Sequence, residues 1–390
     1  MTQFIVRKII LVLMIAVIYS CNLEKENKST ASKIQTLFTL LDAKETGIDF
    51  LNKVKNQKNF NIFKYRNFYN GGGVAIGDIN NDGLADIYLT GNMVANKLYL
   101  NKGNLTFEDI SISAGIEGNK PWSTGVVMVD INQDGLLDIY VSNAGNLKGN
   151  NHDNDLYINN GDLTFTEKAA EFNLAKTGFS THASFFDYDK DGDLDAYILN
   201  NSNIPVSSLG YAEQRDKRAQ DWANVPEIFR GVGDMLLRND NGKFVDVSEQ
   251  AGIYGSLIGF GLGVMVTDMN GDLYPDIYVS NDFYERDYLY INNQDGTFKE
   301  DITNWTSHLS LSAMGVDIAD INNDGNADIF ITDMLPEADQ RVKSVMEFEG
   351  YNVFKLKQSK DFSQQYIQNT LQLNNGNSTF SEVAYFSGVA

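Results

Sequence analysis

Oxygen-bearing side chains recur at alternate positions of a nine-residue segment that occurs five times in this 390-residue chain. The pattern is Asp-x-[Asn/Asp]-x-Asp-x-x-x-Asp, with glycine at position six in four copies. The copies begin at Asp78, Asp130, Asp187, Asp268 and Asp320. Oxygen ligands at this spacing suit a hard cation, and Ca²⁺ takes roughly 6–8 of them in irregular geometry. No copy contains cysteine or histidine, which argues against zinc or copper. Mg²⁺ is disfavoured because it demands near-octahedral geometry.

Five residues of each segment are the predicted calcium ligands. Positions one, three, five and nine contribute side-chain oxygens, and position seven contributes its backbone carbonyl. The five ligand sets are Asp78, Asn80, Asp82, Leu84 and Asp86; Asp130, Asn132, Asp134, Leu136 and Asp138; Asp187, Asp189, Asp191, Asp193 and Asp195; Asp268, Asn270, Asp272, Tyr274 and Asp276; and Asp320, Asn322, Asp324, Asn326 and Asp328. The sequence therefore predicts up to five Ca²⁺ ions per chain.

The fourth copy departs from the pattern. Leu273 stands at position six, where the turn favours glycine, and Gly271 stands at position four. We expect a rearranged turn and weaker binding there, since a sharp turn with positive φ suits glycine.

Two competing interpretations of the segment are an EF-hand and an ordinary turn. An EF-hand loop needs glutamate at position 12 and a helix beyond it, whereas each copy here runs into a β-branched and aromatic stretch such as Asp86-Ile-Tyr-Leu89. That stretch is typical of a strand. Asp, Asn and Gly also populate simple turns, so one copy alone would be ambiguous. Five copies with fixed spacing favour a strand–loop–strand metal site.

The same five segments mark a repeat architecture. They begin 52, 57, 81 and 52 residues apart, and a second signature, a strand, an Asn/Gly turn and then Phe, follows each one. This hairpin signature spans residues 98–107, 156–165, 236–244, 289–298 and 371–380. Two hairpins per unit give four strands in about 50 residues, the size of a propeller blade. A two-sheet sandwich accommodates five equivalent units less readily.

These motifs resemble those of the FG-GAP/VCBS repeat family, which also builds the integrin α-chain head. The layout is similar to bacterial relatives of the cartilage acidic protein and UnbV group, and the resemblance covers roughly residues 71–390. It implies an all-β fold, a β-propeller that is often seven-bladed, with calcium in the blade loops. Five blades are visible, so we expect the chain to be the N-terminal part of a longer protein. The resemblance implies no single function.

The N-terminal residues predict export and lipid attachment. Arg7 and Lys8 precede an apolar run over residues 9–18, which is typical of a signal peptide and short for a membrane span. Cys21, the sole cysteine, falls where a lipoprotein signal peptide is cut; an ordinary signal peptide that contains a cysteine is the alternative. We expect a signal peptide over residues 1–20, a tether over 21–45 and the propeller over 46–390. The predicted location is the bacterial envelope, at the outer membrane or cell surface.

Two insertions break the blade rhythm, at residues 201–234 and 336–366. Each contains a helix-like stretch, which is either a surface helix packed on a blade or a loop that shapes a ligand surface. Residues 46–70 are expected to supply an additional hairpin.

The chain carries no recognisable catalytic motif. It has no Gly-x-Ser-x-Gly elbow, no His-Glu-x-x-His and no phosphate loop. His182 precedes a predicted first strand and is a candidate for the propeller funnel, and Trp122, Trp222 and Trp305 either stack on sugars or belong to the core. A net charge of −21 argues against nucleic acid.

The interpretation we prefer is a non-enzymatic propeller that binds a protein or glycan and touches the membrane only through its lipid. The alternatives are a propeller enzyme acting on polysaccharide and a structural subunit of a surface lipoprotein complex.

Overall fold

The computed structural model describes residues 37–144, 151–202, 215, 218, 233–255, 257–345, 350–360 and 362–390. The chain divides into two compact units, Met1–Glu45 and Thr46–Ala390. In the first unit only residues 37–45 are described, and their side chains are exposed. The predicted signal peptide, Cys21, the first part of the tether, Trp222 and most of residues 201–234 lie outside the described residues.

The second unit contains five four-stranded antiparallel sheets, one for each nine-residue segment. The first sheet consists of β1 (Val74–Gly77), β2 (Asp86–Leu89), β3 (Lys97–Asn101) and β4 (Phe107–Asp109). The second consists of β5 (Ser123–Val129), β6 (Asp138–Asn143), β7 (Asp155–Asn159) and β8 (Phe165–Glu167). The third consists of β9 (Ser180–Phe186), β10 (Asp195–Asn200), β11 (Met235–Asn239) and β12 (Phe244–Asp246). The fourth consists of β13 (Gly261–Thr267), β14 (Asp276–Asn281), β15 (Tyr288–Asn292) and β16 (Phe298–Glu300). The fifth consists of β18 (Gly315–Ala319), β19 (Asp328–Thr332), β21 (Thr370–Asn374) and β22 (Phe380–Glu382).

Within each sheet the strands pair in sequence order, so every connection is a hairpin except where an insertion intervenes. β17 (Leu309–Ser310) and β20 (Gln365–Tyr366) form a separate parallel pair. The second predicted insertion contains two helices as well as β20. Residues 46–70 do not supply the expected hairpin, because the structure has only an isolated bridge between Gln57 and Phe60 and a 3₁₀ helix there.

Helices are short and peripheral to the sheets. They are α1 (Ala43–Thr46), the 3₁₀ helix (Arg66–Tyr69), α2 (Ser111–Ala114), α3 (Ala169–Phe172), α4 (Ile302–Trp305), α5 (Asp339–Val345), α6 (Tyr351–Ser359) and α7 (Ala384–Ser387). None of the helices in the described part of the chain has the length and apolar character needed to cross a bilayer.

The first strands of successive sheets lie side by side, which is the arrangement of propeller blades. The Gly73 N–H donates to the Thr124 carbonyl at 2.7 Å, and the Thr124 hydroxyl donates to the Ser180 carbonyl at 2.6 Å. The backbones approach so closely that a Cβ added to Gly125 would lie 2.4 Å from the Thr181 carbonyl oxygen. Glycine at position 125, within β5, is therefore a packing requirement.

Apolar side chains from neighbouring sheets fill the space between them. Tyr88 and Leu98 of the first sheet pack in one cluster with Val126 and Ile139 of the second, and all four are buried. Burying each such side chain contributes roughly 1.5–3 kcal/mol. The repeat of this packing from sheet to sheet confirms the predicted all-β, propeller-type fold.

The outer flank of the fifth sheet differs from the flanks between sheets. Ile321 is 50% exposed, whereas Ile79, at the equivalent position of the first sheet, is 2% exposed. On the opposite side, Val74 and Ile76 of β1 are also exposed. Among the described residues the five sheets therefore do not close into a ring.

Candidate metal sites

Each nine-residue segment forms the loop between the first and second strand of its sheet. We number them loop 1 (residues 78–86), loop 2 (130–138), loop 3 (187–195), loop 4 (268–276) and loop 5 (320–328). In every case the last Asp of the segment is the first residue of the second strand. The loops therefore occupy equivalent places in the five sheets, as the sequence predicts.

The first aspartate of each loop organises the turn. In loop 1 the Asp78 carboxylate accepts the Asp82 N–H at 3.1 Å and the Gly83 N–H at 2.7 Å. Asp82 in turn accepts the Leu84 N–H at 2.9 Å. The same bonds occur in the other four loops. Positions one and five are thus held inward by local bonds that need no other part of the chain.

Loop 4 keeps this geometry although it lacks glycine at position six. The Leu273 N–H donates to Asp268 at 2.7 Å, as the glycine N–H does in the other loops. Leu273 itself adopts φ 72°, against 87° for Gly325 in loop 5. The expectation of a rearranged turn is wrong, because the bonds to the first aspartate force the leucine into the left-handed region. A non-glycine residue there carries backbone strain of about 1–2 kcal/mol.

The aspartate at position nine is buried. Its carboxylate accepts backbone hydrogen bonds that stabilise the fold, and it is also a candidate cation ligand. In loop 2 the Asp138 Oδ2 atom accepts the Ile131 N–H at 3.2 Å and its Oδ1 atom accepts the Asn159 N–H at 2.8 Å. Burial raises the pKa of the Asp138 carboxyl to about 6, and that of Asp195 and Asp276 to about 7. Each oxygen keeps one further lone pair for a cation.

Loop 3 has the most closely grouped carboxylates among the described loops. Carboxylate oxygens of Asp187, Asp189 and Asp195 all lie within 4.8 Å of one another. One oxygen each of Asp189 and Asp193 is buried without a hydrogen-bond partner in the described part of the chain. Burial and then the neighbouring carboxylates raise the pKa of Asp193 to about 6. Crowded, desolvated carboxylates repel unless a proton or a cation compensates them.

The other four loops have asparagine at position three. In loop 1 the Asn80 side-chain amide donates to the Asp82 carboxylate at 3.0 Å, and the equivalent bond in loops 2, 4 and 5 measures 2.8–2.9 Å. These loops hold three carboxylates each, so their like-charge repulsion is smaller. The residues of all five loops fit a hard cation, and loop 3 fits it best.

An asparagine outside the loops completes each site, and the sequence analysis missed it. Asn159, the last residue of β7, donates its N–H to Asp138. Its side-chain amide also donates to the Ile79 carbonyl of loop 1 at 2.8 Å. The equivalent residues are Asn101, Asn239, Asn292 and Asn374, whose N–H groups bond Asp86, Asp195, Asp276 and Asp328. The signal for it in the sequence is an asparagine at the same place in all five hairpin signatures.

The tryptophans and histidines stand outside the five loop segments in the sequence. Trp122 and Trp305 are buried and belong to the core. His152 contacts the Gly178 carbonyl, and His308 stacks on Tyr366 with ring centroids 4.4 Å apart.

His182 lines a cavity of about 370 Å³ beside the starts of the first strands, together with Thr124 and Thr181. Burial lowers the pKa of His182, so the imidazole is neutral at physiological pH. His182 lies within β9 and not before the first strand of its sheet, and its place in a propeller funnel stays a prediction.

Comparison with known families and proteins matches the repeats. The profile of the FG-GAP-like repeat matches residues 78–141, 144–198 and 268–331, and these segments contain all five loops. Cartilage acidic protein 1 of Xenopus tropicalis is 34% identical over 137 residues, which cover 34% of this chain and 20% of that protein. The Mus musculus protein is 29% identical over 216 residues, which cover 54% of this chain and 29% of that protein. The chain thus matches less than a third of the length of these curated relatives.

Solved structures show weaker similarity. A mutant of AofleA from Arthrobotrys oligospora aligns with 80% of this chain and 72% of its own at 9% identity and a TM-score of 0.42. The V. cholerae biofilm matrix protein Bap1 aligns with 66% of this chain and 34% of its own at 15% identity and a TM-score of 0.33. These scores are too low to assign a function.

Proposed function

Because the chain belongs to the FG-GAP repeat family, we propose that it is a non-enzymatic binding module whose sheets are stabilised by calcium. Propeller-type domains built from such repeats are generally binding modules. We propose specifically that all five loops bind Ca²⁺ and that each bound ion holds the first strand of its sheet against the second strand.

The observation that carries the proposal is the pair of orphaned carboxylate oxygens in loop 3. Asp189 and Asp193 each bury one oxygen without a hydrogen-bond partner in the described residues. A desolvated carboxylate without a partner costs free energy, and a divalent cation removes that cost by neutralising the cluster. Oxygen-only donors around it favour Ca²⁺ over Zn²⁺.

The loops' own residues prepare the site for the ion. The Asp187 carboxylate is held by the Asp191 and Gly192 N–H groups at 3.1 Å each, and Asp195 is held by the Tyr188 N–H at 3.0 Å. When bound, Ca²⁺ supplies charge neutralisation. An ion that binds the folded chain and not the unfolded one raises stability by about 2.7 kcal/mol at 100 times its dissociation constant.

A thermal melt of the purified chain with calcium and after metal removal, paired with metal analysis, tests this proposal. We expect a large rise in melting temperature with calcium and close to five Ca²⁺ per chain. Asp187→Asn should lower both the rise and the ion count. Asp339→Asn in α5 is the matched control, because Asp339 is an exposed helix carboxylate that pairs with Lys343 and lies in no loop segment. No bound metal and no calcium-dependent shift would refute calcium binding.

For the ligand we propose a protein or a glycan. The formal charge of −21 disfavours nucleic acid, and the cavity beside His182 offers hydroxyl, amide and imidazole groups next to apolar side chains, a mixture that suits a neutral partner. Binding of the purified chain to arrays of glycans and of envelope proteins tests this, and robust hydrolysis of a polysaccharide would overturn the non-enzymatic assignment.

We also propose that Cys21 carries the lipid that attaches the chain to the bacterial envelope. The apolar run ending three residues before Cys21 supports this, and acyl chains can anchor a folded domain without spanning the bilayer. Metabolic labelling with a fatty-acid analogue should mark the native chain and not Cys21→Ser. Equal labelling of both chains would contradict the assignment.

A further inference from the structure

Successive loops are joined by the residue at position four, which is not itself a predicted ligand. The Asn81 side-chain amide of loop 1 donates to the Gly135 carbonyl of loop 2 at 3.0 Å. The Gln133 side-chain amide of loop 2 donates to the Gly192 carbonyl of loop 3 at 3.0 Å. The same bond is therefore made twice, by amides of different length.

The accepting carbonyl belongs to the peptide group between positions six and seven. In loop 2 the N–H of that peptide group, on Leu136, donates to the Asp134 carboxylate at 2.9 Å. Hydrogen bonds at both ends of one peptide group polarise and strengthen each other. They fix the peptide plane directly before the Leu136 carbonyl, which is a predicted ligand. The bond from Asn81 thus helps to position two predicted ligands of loop 2, the Leu136 carbonyl and the Asp134 carboxylate.

The donating residue is equally tied to its own loop. Asn81 lies between Asn80 and Asp82, the predicted ligands at positions three and five, and adopts φ 57°. A cation held by those two neighbours fixes the backbone on both sides of Asn81. Its side chain then loses less conformational entropy on bonding to loop 2, which favours ordering of the second site.

This series of contacts does not run through all five loops. Lys190, at position four of loop 3, places its ammonium 4.3 Å from the ring centroid of Tyr274 in loop 4, a contact of another kind. Position four of loop 4 is Gly271, which has no side chain to reach loop 5.

We infer that loops 1, 2 and 3 bind calcium as a coupled group through Asn81 and Gln133, and that loop 5 lies outside this group. This inference rests on the proposed calcium binding. Asn81 and Gln133 are positioning residues, since each acts on the affinity of a loop to which it contributes no ligand.

The coupling is tested by titrating the full chain, labelled with ¹⁵N-glycine, with calcium and recording the glycine amide signals by NMR. The amides of Gly83, Gly135, Gly192 and Gly325 report loops 1, 2, 3 and 5 separately, because each donates to the first aspartate of its loop. Asn81→Ala should weaken the calcium affinity read at Gly135 about fivefold and leave that at Gly325 unchanged. Gln133→Ala should do the same at Gly192.

Asn323→Ala is the matched control, because Asn323 holds position four of loop 5 and makes no side-chain hydrogen bond to another loop in the described residues. It should alter no affinity, and it shares with Asn81→Ala the backbone effect of placing alanine at positive φ, 60° and 57° respectively. Glycine signals that move with calcium but give unchanged affinities in Asn81→Ala and Gln133→Ala would overturn the coupling alone. Glycine signals that do not respond to calcium would overturn the proposed calcium binding and the coupling with it.

Discussion

The side-chain amide of Asn159 donates to the main-chain carbonyl of Ile79 at 2.8 Å, linking residues 80 positions apart in the chain. Asn159 ends the third strand of the second sheet, and Ile79 lies in loop 1 of the first. Asn292 bonds the Tyr188 carbonyl and Asn374 bonds the Met269 carbonyl in the same way, at 2.9 Å each. Each of these bonds ties one of the five Asp-rich loops to the sheet that follows it, so the geometry of the loop depends on the packing of the sheets.

Replacing Asn159 with alanine should destabilise the protein strongly. The variant loses bonds to the Ile79 and Leu137 carbonyls and to the Gly161 N–H, and leaves buried groups without partners. We expect a loss of about 3 kcal/mol in the free energy of unfolding, measured by urea denaturation with calcium present. Asn160→Ala is the control, because Asn160 lies in the exposed turn, and should cost about 0.5 kcal/mol. Similar losses for both variants would contradict the role of Asn159.

Replacing Leu273 with glycine should stabilise the protein. Leu273 is 76% exposed and has φ 72°, so glycine removes strain without removing a buried contact. The expected gain is about 1 kcal/mol, seen as a higher urea midpoint at constant slope. The reciprocal variant Gly325→Leu in loop 5 should lose a similar amount, because an added Cβ there meets nothing within 4 Å and only the strain remains. A loss on Leu273→Gly would show that the leucine side chain has a partner that offsets its strain.

The metal-stripped chain should be more stable at pH 5 than at pH 8. Burial raises the pKa of Asp195 and Asp276 to about 7 and of Asp138 to about 6, from a usual value of 3.8. Between about pH 4 and 7 the folded chain therefore binds more protons than the unfolded chain, and stability falls as pH rises.

Saturating calcium should remove or reverse that slope, because the ion displaces the same protons. Melting temperatures at pH 5, 6, 7 and 8, with and without calcium, measure both slopes. An identical pH dependence in the two series would mean that these carboxylates do not bind the ion.

Replacing Asp189 with asparagine should have opposite effects on the two forms of the protein. The variant gives loop 3 the position-three residue of the other loops and removes one like charge from the Asp187–Asp195 cluster. The metal-stripped chain should gain about 1 kcal/mol, and the rise in melting temperature on adding calcium should shrink.

Asn132→Asp in loop 2 is the reciprocal variant. It should destabilise the metal-stripped chain and enlarge the rise in melting temperature on adding calcium. Calorimetric melts with and without calcium measure the two effects. A variant of Asp189 that lowers stability in both conditions would indicate a purely structural carboxylate.

Much of each site could be predicted from the sequence because its geometry is local. Nine consecutive residues contain the first aspartate, the backbone N–H groups of positions five and six that donate hydrogen bonds to it, and the turn between them. The strand that follows is marked by its β-branched and aromatic residues, as in β2 and β19. These features depend on backbone sterics and short-range hydrogen bonds, which a repeated pattern of residue types records directly.

The tertiary structure decided what depends on residues far apart in the chain. Nothing in the Asp138 segment indicates that this carboxylate is buried and bonded by Asn159, or that Asn81 reaches the loop of the next sheet. Leu273 likewise adopts its left-handed conformation because bonds to Asp268 outweigh its own preference. The sequence by itself thus determined the candidate ligand types and the repeat, through local chemistry. Packing of neighbouring sheets decided the burial, the pKa values and the connections between sites, because those follow from which strands lie side by side.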